Sequence, residues 1–249
     1  MKTEKRKTRR YGWLDALRGL SLMSMILYHA LWDAEYFLGK DWPWFHGTGA
    51  FLWQQSIAWT FILVSGFAFS LGHHPLRRGI ALLLWSGLIA GVTTFAVPEG
   101  PIYYGILFLL GASMVLTAFL RPLLRPIPAA YGAGGSFFLF CAFRFVWLGY
   151  TGNSLISTWA LPTEWYGAFP GAEALGFPGN AFFSADYYPL LPWFFLFLTG
   201  AYLQRCSFAE PFPETMGEGT AAAFLGRHSL FIYLIHQPLL WGIFTVLTR

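Results

Sequence analysis

The segment Leu14-Asp15-Ala16-Leu17-Arg18-Gly19 is followed by an apolar stretch and then by Tyr28-His29-Ala30-Leu31-Trp32-Asp33. Eleven residues separate Arg18 from His29. At about 100° per residue that is about 1100°, roughly 20° from three full turns, so the two share one face of a helix. Asp15 stands one turn before Arg18, and Asp33 one turn after His29. One helix would thus carry a polar stripe, with His29 about 16 Å along the axis from Arg18 at 1.5 Å per residue. An arginine at one end suits a phosphate group. A histidine held by a carboxylate four residues on suits general-base work, because the acid orients the ring and supports its protonated form. The same residues also fit a plainer reading, in which Asp15 and Arg18 sit at a membrane interface and His29 bonds a neighbouring helix.

Other polar residues interrupt apolar sequence. His46 lies in Trp42-Pro43-Trp44-Phe45-His46-Gly47, where a surface loop histidine is the simpler reading. His73 and His74 stand beside Arg77 and Arg78, a grouping suited to an interface or an anionic ligand. Arg144 lies in an apolar run and needs a partner, for which Asp186 or Asp33 would serve. His236 and Gln237, in Tyr233-Leu234-Ile235-His236-Gln237-Pro238, fit either interhelical hydrogen bonding or a site. No Gly-rich phosphate loop followed by Lys-Ser/Thr occurs, and no His-Glu-x-x-His. Cys141 and Cys206, the only two cysteines, have no metal-ligand spacing, so no metal is expected. The only lysines are at 2, 5, 7 and 40, which excludes a retinal Schiff base in a last helix. A haem between His29 and His236 stays open.

These residues need elements to hold them, and the composition says which. The 249 residues are 56% apolar, 20% aromatic and only 11% charged. Soluble domains are about 25% charged, so a soluble enzyme is all but excluded and an all-α, polytopic membrane helix bundle is expected. Seven spans of about 20 residues can be read: Trp13–Ala34, Ala50–Leu71, Arg78–Val97, Tyr103–Leu120, Ala129–Leu148, Tyr188–Arg205 and Phe224–Leu247. Six of the sixteen basic residues fall in the first ten, which makes residues 1–12 a basic cytoplasmic anchor rather than a nucleic-acid site. With that end inside, the inner connections hold Arg77, Arg78, Arg121, Arg125, Arg205 and Arg227, and the outer ones only Lys40 apart from Arg249. Residues 13–249 then form one transmembrane domain. Residues 149–186 are expected to cap the outer mouth, with a short interfacial helix, and the inner connection with Glu210, Glu214 and Glu218 to be a flexible loop.

Leu14-Asp15-Ala16-Leu17-Arg18-Gly19-Leu20, with Met25 and His29, resembles the first helix of the transmembrane acyltransferase superfamily, which includes the O-acetyltransferases of bacterial envelope polysaccharides. Four further stretches make the chain similar to bacterial relatives of the lysosomal heparan-alpha-glucosaminide N-acetyltransferase. They are Phe61–Gly72, Tyr103-Tyr104-Gly105-Ile106-Leu107, Asp186–Trp193, and Gly226-Arg227-His228-Ser229-Leu230 running on to His236-Gln237-Pro238. Phe108 stands where many bacterial relatives carry histidine. The resemblance implies acetyl transfer from cytoplasmic acetyl-CoA to a hydroxyl or amine of a glycan or lipid-linked sugar beyond the inner membrane of a bacterium. It further implies Arg18, with Asp15, Arg77 and Arg78, at the CoA side. His29 is the preferred base with Asp33 orienting it, and His46 is the second candidate. Arg144, Asp186, His236 and Gln237 remain as substrate-binding or structural groups. The lipid bilayer is a partner, no nucleic acid is expected, and a homodimer is compatible with the sequence. The rival reading is a transporter or flippase using the same intramembrane groups.

Overall fold

The computed structural model describes residues 11–153, 157–206, 213 and 215–248. The basic residues of 1–10, with Glu210 and Glu214, lie outside the described residues. The helices are α1 (Gly12–Leu38), α2 (Thr48–Phe69), α3 (Pro75–Ala96), α4 (Ile106–Leu124), α5 (Ala129–Phe143), α6 (Ala172–Leu175), α7 (Leu190–Arg205), α8 (Ala221–Arg227) and α9 (Ser229–Leu247). Two short strands, β1 (Tyr150–Asn153) and β2 (Ser157–Ala160), pair antiparallel, with Tyr150 opposite Ala160. The class is all-α, as composition demands.

Among the described residues, four stretches are long and apolar enough to cross a membrane: Pro75–Ala96, Ile106–Leu124, Ala129–Leu148 and Ser229–Leu247. Two of the other expected spans contain helices of different character. α1 has ample length at 27 residues but carries Asp15, Arg18, Asp33 and Glu35. α7 is only 16 residues long and opens after Pro189. The expected span Phe224–Leu247 is not one helix. His228 leaves helical geometry at φ −102°, ψ 16° and divides α8 from α9. The long connection 149–186 holds the β1–β2 pair as well as a short helix, α6.

Two compact units divide the chain: Met1–Val64 with Ala209–Arg249, and Ser65–Phe208. The first unit is built on α1. A Cβ on Gly19 would lie 1.8 Å from the Ala222 carbonyl oxygen, and one on Gly226 would lie 1.8 Å from that of Asp15. Backbone therefore meets backbone where α1 crosses α8, as small residues permit between membrane helices. Thr220 caps α8 by accepting the Ala223 N–H at 3.1 Å. Ser21 donates to the Ile57 carbonyl and Trp53 to Ser24, tying α2 to the same helix. In the second unit Ser136 and Thr199 hydrogen-bond between α5 and α7 at 3.0 Å, beside fully buried Phe140, Leu196 and Phe197. Large apolar side chains such as Phe95, Phe119 and Val246 point outward, which suits a lipid solvent.

Candidate functional site

α1 runs unbroken from Gly12 to Leu38, so Arg18, His29, Asp33 and Glu35 do stand on one rigid rod. At its start, Asp15 faces two guanidinium groups. Arg18 is 3.6 Å away on the same helix, and Arg227 reaches in from the end of α8 at 3.5 Å. The Gly19–Gly226 crossing brings Arg227 there. Among the described residues one carboxylate thus lies between two arginines, and guanidinium groups suit phosphate oxygens.

Further along α1, residues of α9 form the opposite wall. The His29 and His236 rings lie 5.2 Å apart, centre to centre. One turn on, the Gln237 side-chain amide donates to both oxygens of Asp33, at 3.0 and 3.1 Å. Asp33 is 2% exposed and His236 8%. The expectation that Asp33 orients His29 is therefore corrected. Asp33 turns its two oxygens to Gln237, and no hydrogen bond joins it to His29 among the described residues.

The carboxylate that does hold a histidine is Glu35. Its Oε1 lies 2.9 Å from His46 Nε2 and also accepts the Trp42 N–H at 2.8 Å. The chain reverses after α1 through Gly39, at φ 58° in the left-handed region. Phe45 then anchors the loop. It is 3% exposed and packs on Tyr28 at 4.9 Å and Trp32 at 6.3 Å. Its neighbour His46 is thereby set over Glu35. The Trp42 N–H, and after it His46, hold the Glu35 carboxyl below its ordinary range. A carboxylate can only accept, so in the neutral ring Nε2 carries the proton and Nδ1 keeps the lone pair. The His46 side chain is 53% exposed and open to a substrate. Glu35, Asp41 and His46 also bring one ligand-type atom each within 4.8 Å of one another. This grouping follows from the loop's return and not from any metal-ligand spacing in the sequence.

The remaining candidates belong to the second unit. Arg77 and Arg78 lie in the first turn of α3. The Arg78 guanidinium packs against Gly72, where a Cβ would lie 2.0 Å from it. Arg144 lies over the Trp193 ring at 4.3 Å. Asp186 accepts the Ile106 N–H at 3.1 Å and so caps α4.

The sequence model of the family described as heparan-alpha-glucosaminide N-acetyltransferase, catalytic, matches residues 10–238. The chain belongs to that family. No curated protein and no solved structure matches it. As a member of the heparan-alpha-glucosaminide N-acetyltransferase catalytic family with four strongly apolar helices, the chain is of the membrane acetyltransferase type. The match takes in all three polar levels of α1 and ends one residue past Gln237. Sequence reasoning overlooked Glu35 and placed Arg227 only as a loop charge. Glu35 could have been found from the turn signals Gly39 and Pro43, which fold His46 back onto the end of α1.

Proposed function

We propose that this protein moves an acetyl group from acetyl-CoA to a hydroxyl or amine of an extracytoplasmic glycan or lipid-linked sugar, with His46 as general base. The Glu35–His46 contact of 2.9 Å carries this reading, since it is a histidine both oriented by a carboxylate and exposed to an acceptor. His46 Nδ1 takes the proton as the acceptor oxygen or nitrogen attacks the thioester carbonyl. The carbon–sulfur bond breaks, and CoA leaves as the thiolate. Glu35 supports the imidazolium that forms. The donor's phosphates meet Arg18 and Arg227 at the start of α1. The chain sits in a bacterial inner membrane with its N-terminus in the cytoplasm and seven helical spans, α8 and α9 sharing the last. Basic residues on the inner connections support that orientation. His29 stands beside the donor and is not the base.

The test is acetyl transfer by purified protein in lipid, with envelope glycan as acceptor and the 42 Da mass gain of acetylation as readout. His46→Ala should abolish transfer, at a cost of about 10²–10⁴-fold for a positioned base. His29→Ala should retain measurable turnover. The opposite order would return the role to His29. A wild-type protein that neither binds CoA nor acetylates would point to the transporter reading.

A further inference from the structure

Two carboxylates and one imidazole converge where the chain turns back after α1. His46 Nε2 lies 2.9 Å from Glu35 Oε1 and 3.9 Å from Asp41 Oδ1, and the three ligand-type atoms fall within 4.8 Å of one another. Asp15, at the other end of α1, is flanked by two guanidinium groups. Glu35 and Asp41 have no such company: among the described residues neither is paired with an arginine or a lysine. Two negative charges this close repel one another and attract a cation. Glu35 forms the floor of the group, its side chain 12% exposed, while Asp41 at 85% and His46 at 53% form an open rim. From outside the triad the Trp42 N–H fixes the floor by donating to Glu35 Oε1, as the outer partners of metal ligands do. Buried Phe45 fixes the rim beside it.

We propose that Glu35, Asp41 and His46 bind a divalent transition cation of the Zn²⁺ class, and that the bound metal switches the His46 base off. The switch rests on the base reading above; the metal site does not depend on it. A tetrahedral zinc with nitrogen and carboxylate ligands at about 2.0–2.2 Å sets those atoms about 3.3–3.6 Å apart. The distances of 2.9 and 3.9 Å straddle that spacing, and exposed Asp41 is free to rotate into it. Three protein ligands leave the fourth position to water. The imidazole nitrogen selects against Mg²⁺ and Ca²⁺, which take oxygen ligands. Zinc binds through a nitrogen lone pair. The neutral ring facing Glu35 carries its proton on Nε2 and its lone pair on Nδ1. Metal at Nε2 moves that proton to Nδ1. The ring keeps one proton and stays neutral, but the lone pair that takes the acceptor's proton is gone.

Calorimetry with zinc chloride tests the site, on the full chain in detergent, free of any histidine tag and stripped by a chelator. Asp41→Asn and His46→Ala should each weaken zinc at least about tenfold, since even outer partners of a metal are worth about 10–100-fold. Magnesium chloride should not bind at the same concentration. Cobalt(II) in place of zinc should give the visible absorption of a tetrahedral site in wild type and lose it in His46→Ala. Equal zinc affinity in all three proteins overturns the site. So does loss of zinc binding in a His73→Ala, His74→Ala double variant, which removes the adjacent histidine pair of the other unit. The switch is tested by acetyl transfer. Saturating zinc should slow wild type about 10²-fold or more, the lower end of what a positioned base contributes, and a chelator should restore it. Asp41→Asn should need at least about tenfold more zinc for the same fractional loss, whatever its own rate. Zinc that binds without slowing transfer, or that speeds it, overturns the switch. Wild type that binds zinc yet transfers no acetyl group when metal-free overturns the base reading, whereas calorimetry decides the site by itself.

Discussion

Substitution of Gly19 by alanine should damage both the fold and donor binding. The new Cβ would lie 1.8 Å from the Ala222 carbonyl oxygen, against a limit near 3.0 Å. That oxygen is backbone in the first turn of α8, so it cannot rotate aside as a side chain would. α1 and α8 must therefore part by about 1.2 Å, the difference between those distances. Forced overpacking of this kind costs about 1–3 kcal/mol, which for a chain of this size lowers the melting temperature by roughly 2–12 °C. The parting also carries Arg227 away from Asp15, now 3.5 Å distant, to beyond ion-pair range. Acetyl-CoA affinity should fall together with stability. The control is Gly134→Ala in α5, where the added Cβ meets nothing within 4 Å. It should be neutral or slightly stabilising, because alanine is the better helix former by about 0.5–1 kcal/mol. Melting in detergent, followed by circular dichroism with and without acetyl-CoA, measures both effects. Equal melting temperatures for the two variants would refute the close-crossing argument.

Three further outcomes are expected. Glu35→Gln should lower kcat by about a hundredfold, within the range for a positioned base, with the KM for acetyl-CoA unchanged; a change confined to KM would instead put Glu35 in donor binding. Because the Trp42 N–H and then His46 hold the Glu35 carboxyl below its ordinary value of 4.5, its stabilising contribution is complete above that pH and is lost as pH falls through the lower folded value. The melting-temperature gap between wild type and Glu35→Gln should therefore close only under acid conditions below pH 4.5, and a gap that closes nearer neutrality counts against the pairing. Arg227→Gln should weaken acetyl-CoA about tenfold or more at low salt and flatten the salt dependence of its Kd; an unchanged slope would remove Arg227 from the phosphate site.

Much of α1 was legible because helical periodicity is rigid. Eleven residues place Arg18 and His29 on one face whatever else the chain does, and the helix runs through both. The partners were less legible, because periodicity describes one helix and says nothing about what packs on it. Spacing of four residues suggested that Asp33 serves His29, yet α9 offers Asp33 an amide from more than 200 residues away. His46 looked like an ordinary loop histidine because its value depends on a reversal at Gly39 and the burial of Phe45, both tertiary events. The break at His228 was hidden for a related reason. Apolar runs lie on both sides of it, and Gly226, two residues before the break, packs against the α1 backbone, a tertiary contact.

The partners have a common logic. Ionisable groups on a helix within an apolar protein are costly unless paired. Each of the three carboxylates on α1 is met by a different element: Asp15 by α8 through Arg227, Asp33 by α9 through Gln237, and Glu35 by the loop through Trp42 and His46. A purely structural helix would gain more from apolar residues at these positions, since replacing paired buried charges by well-packed side chains is often neutral or stabilising. Under the proposed function, their order along the rod matches that of an extended acyl donor. Two arginines around Asp15 stand first, the Asp33–Gln237 pair next, and a carboxylate–histidine pair last. Three separate elements deliver these partners onto one helix, so no single pairing on α1 accounts for the arrangement, and that convergence supports the proposed function.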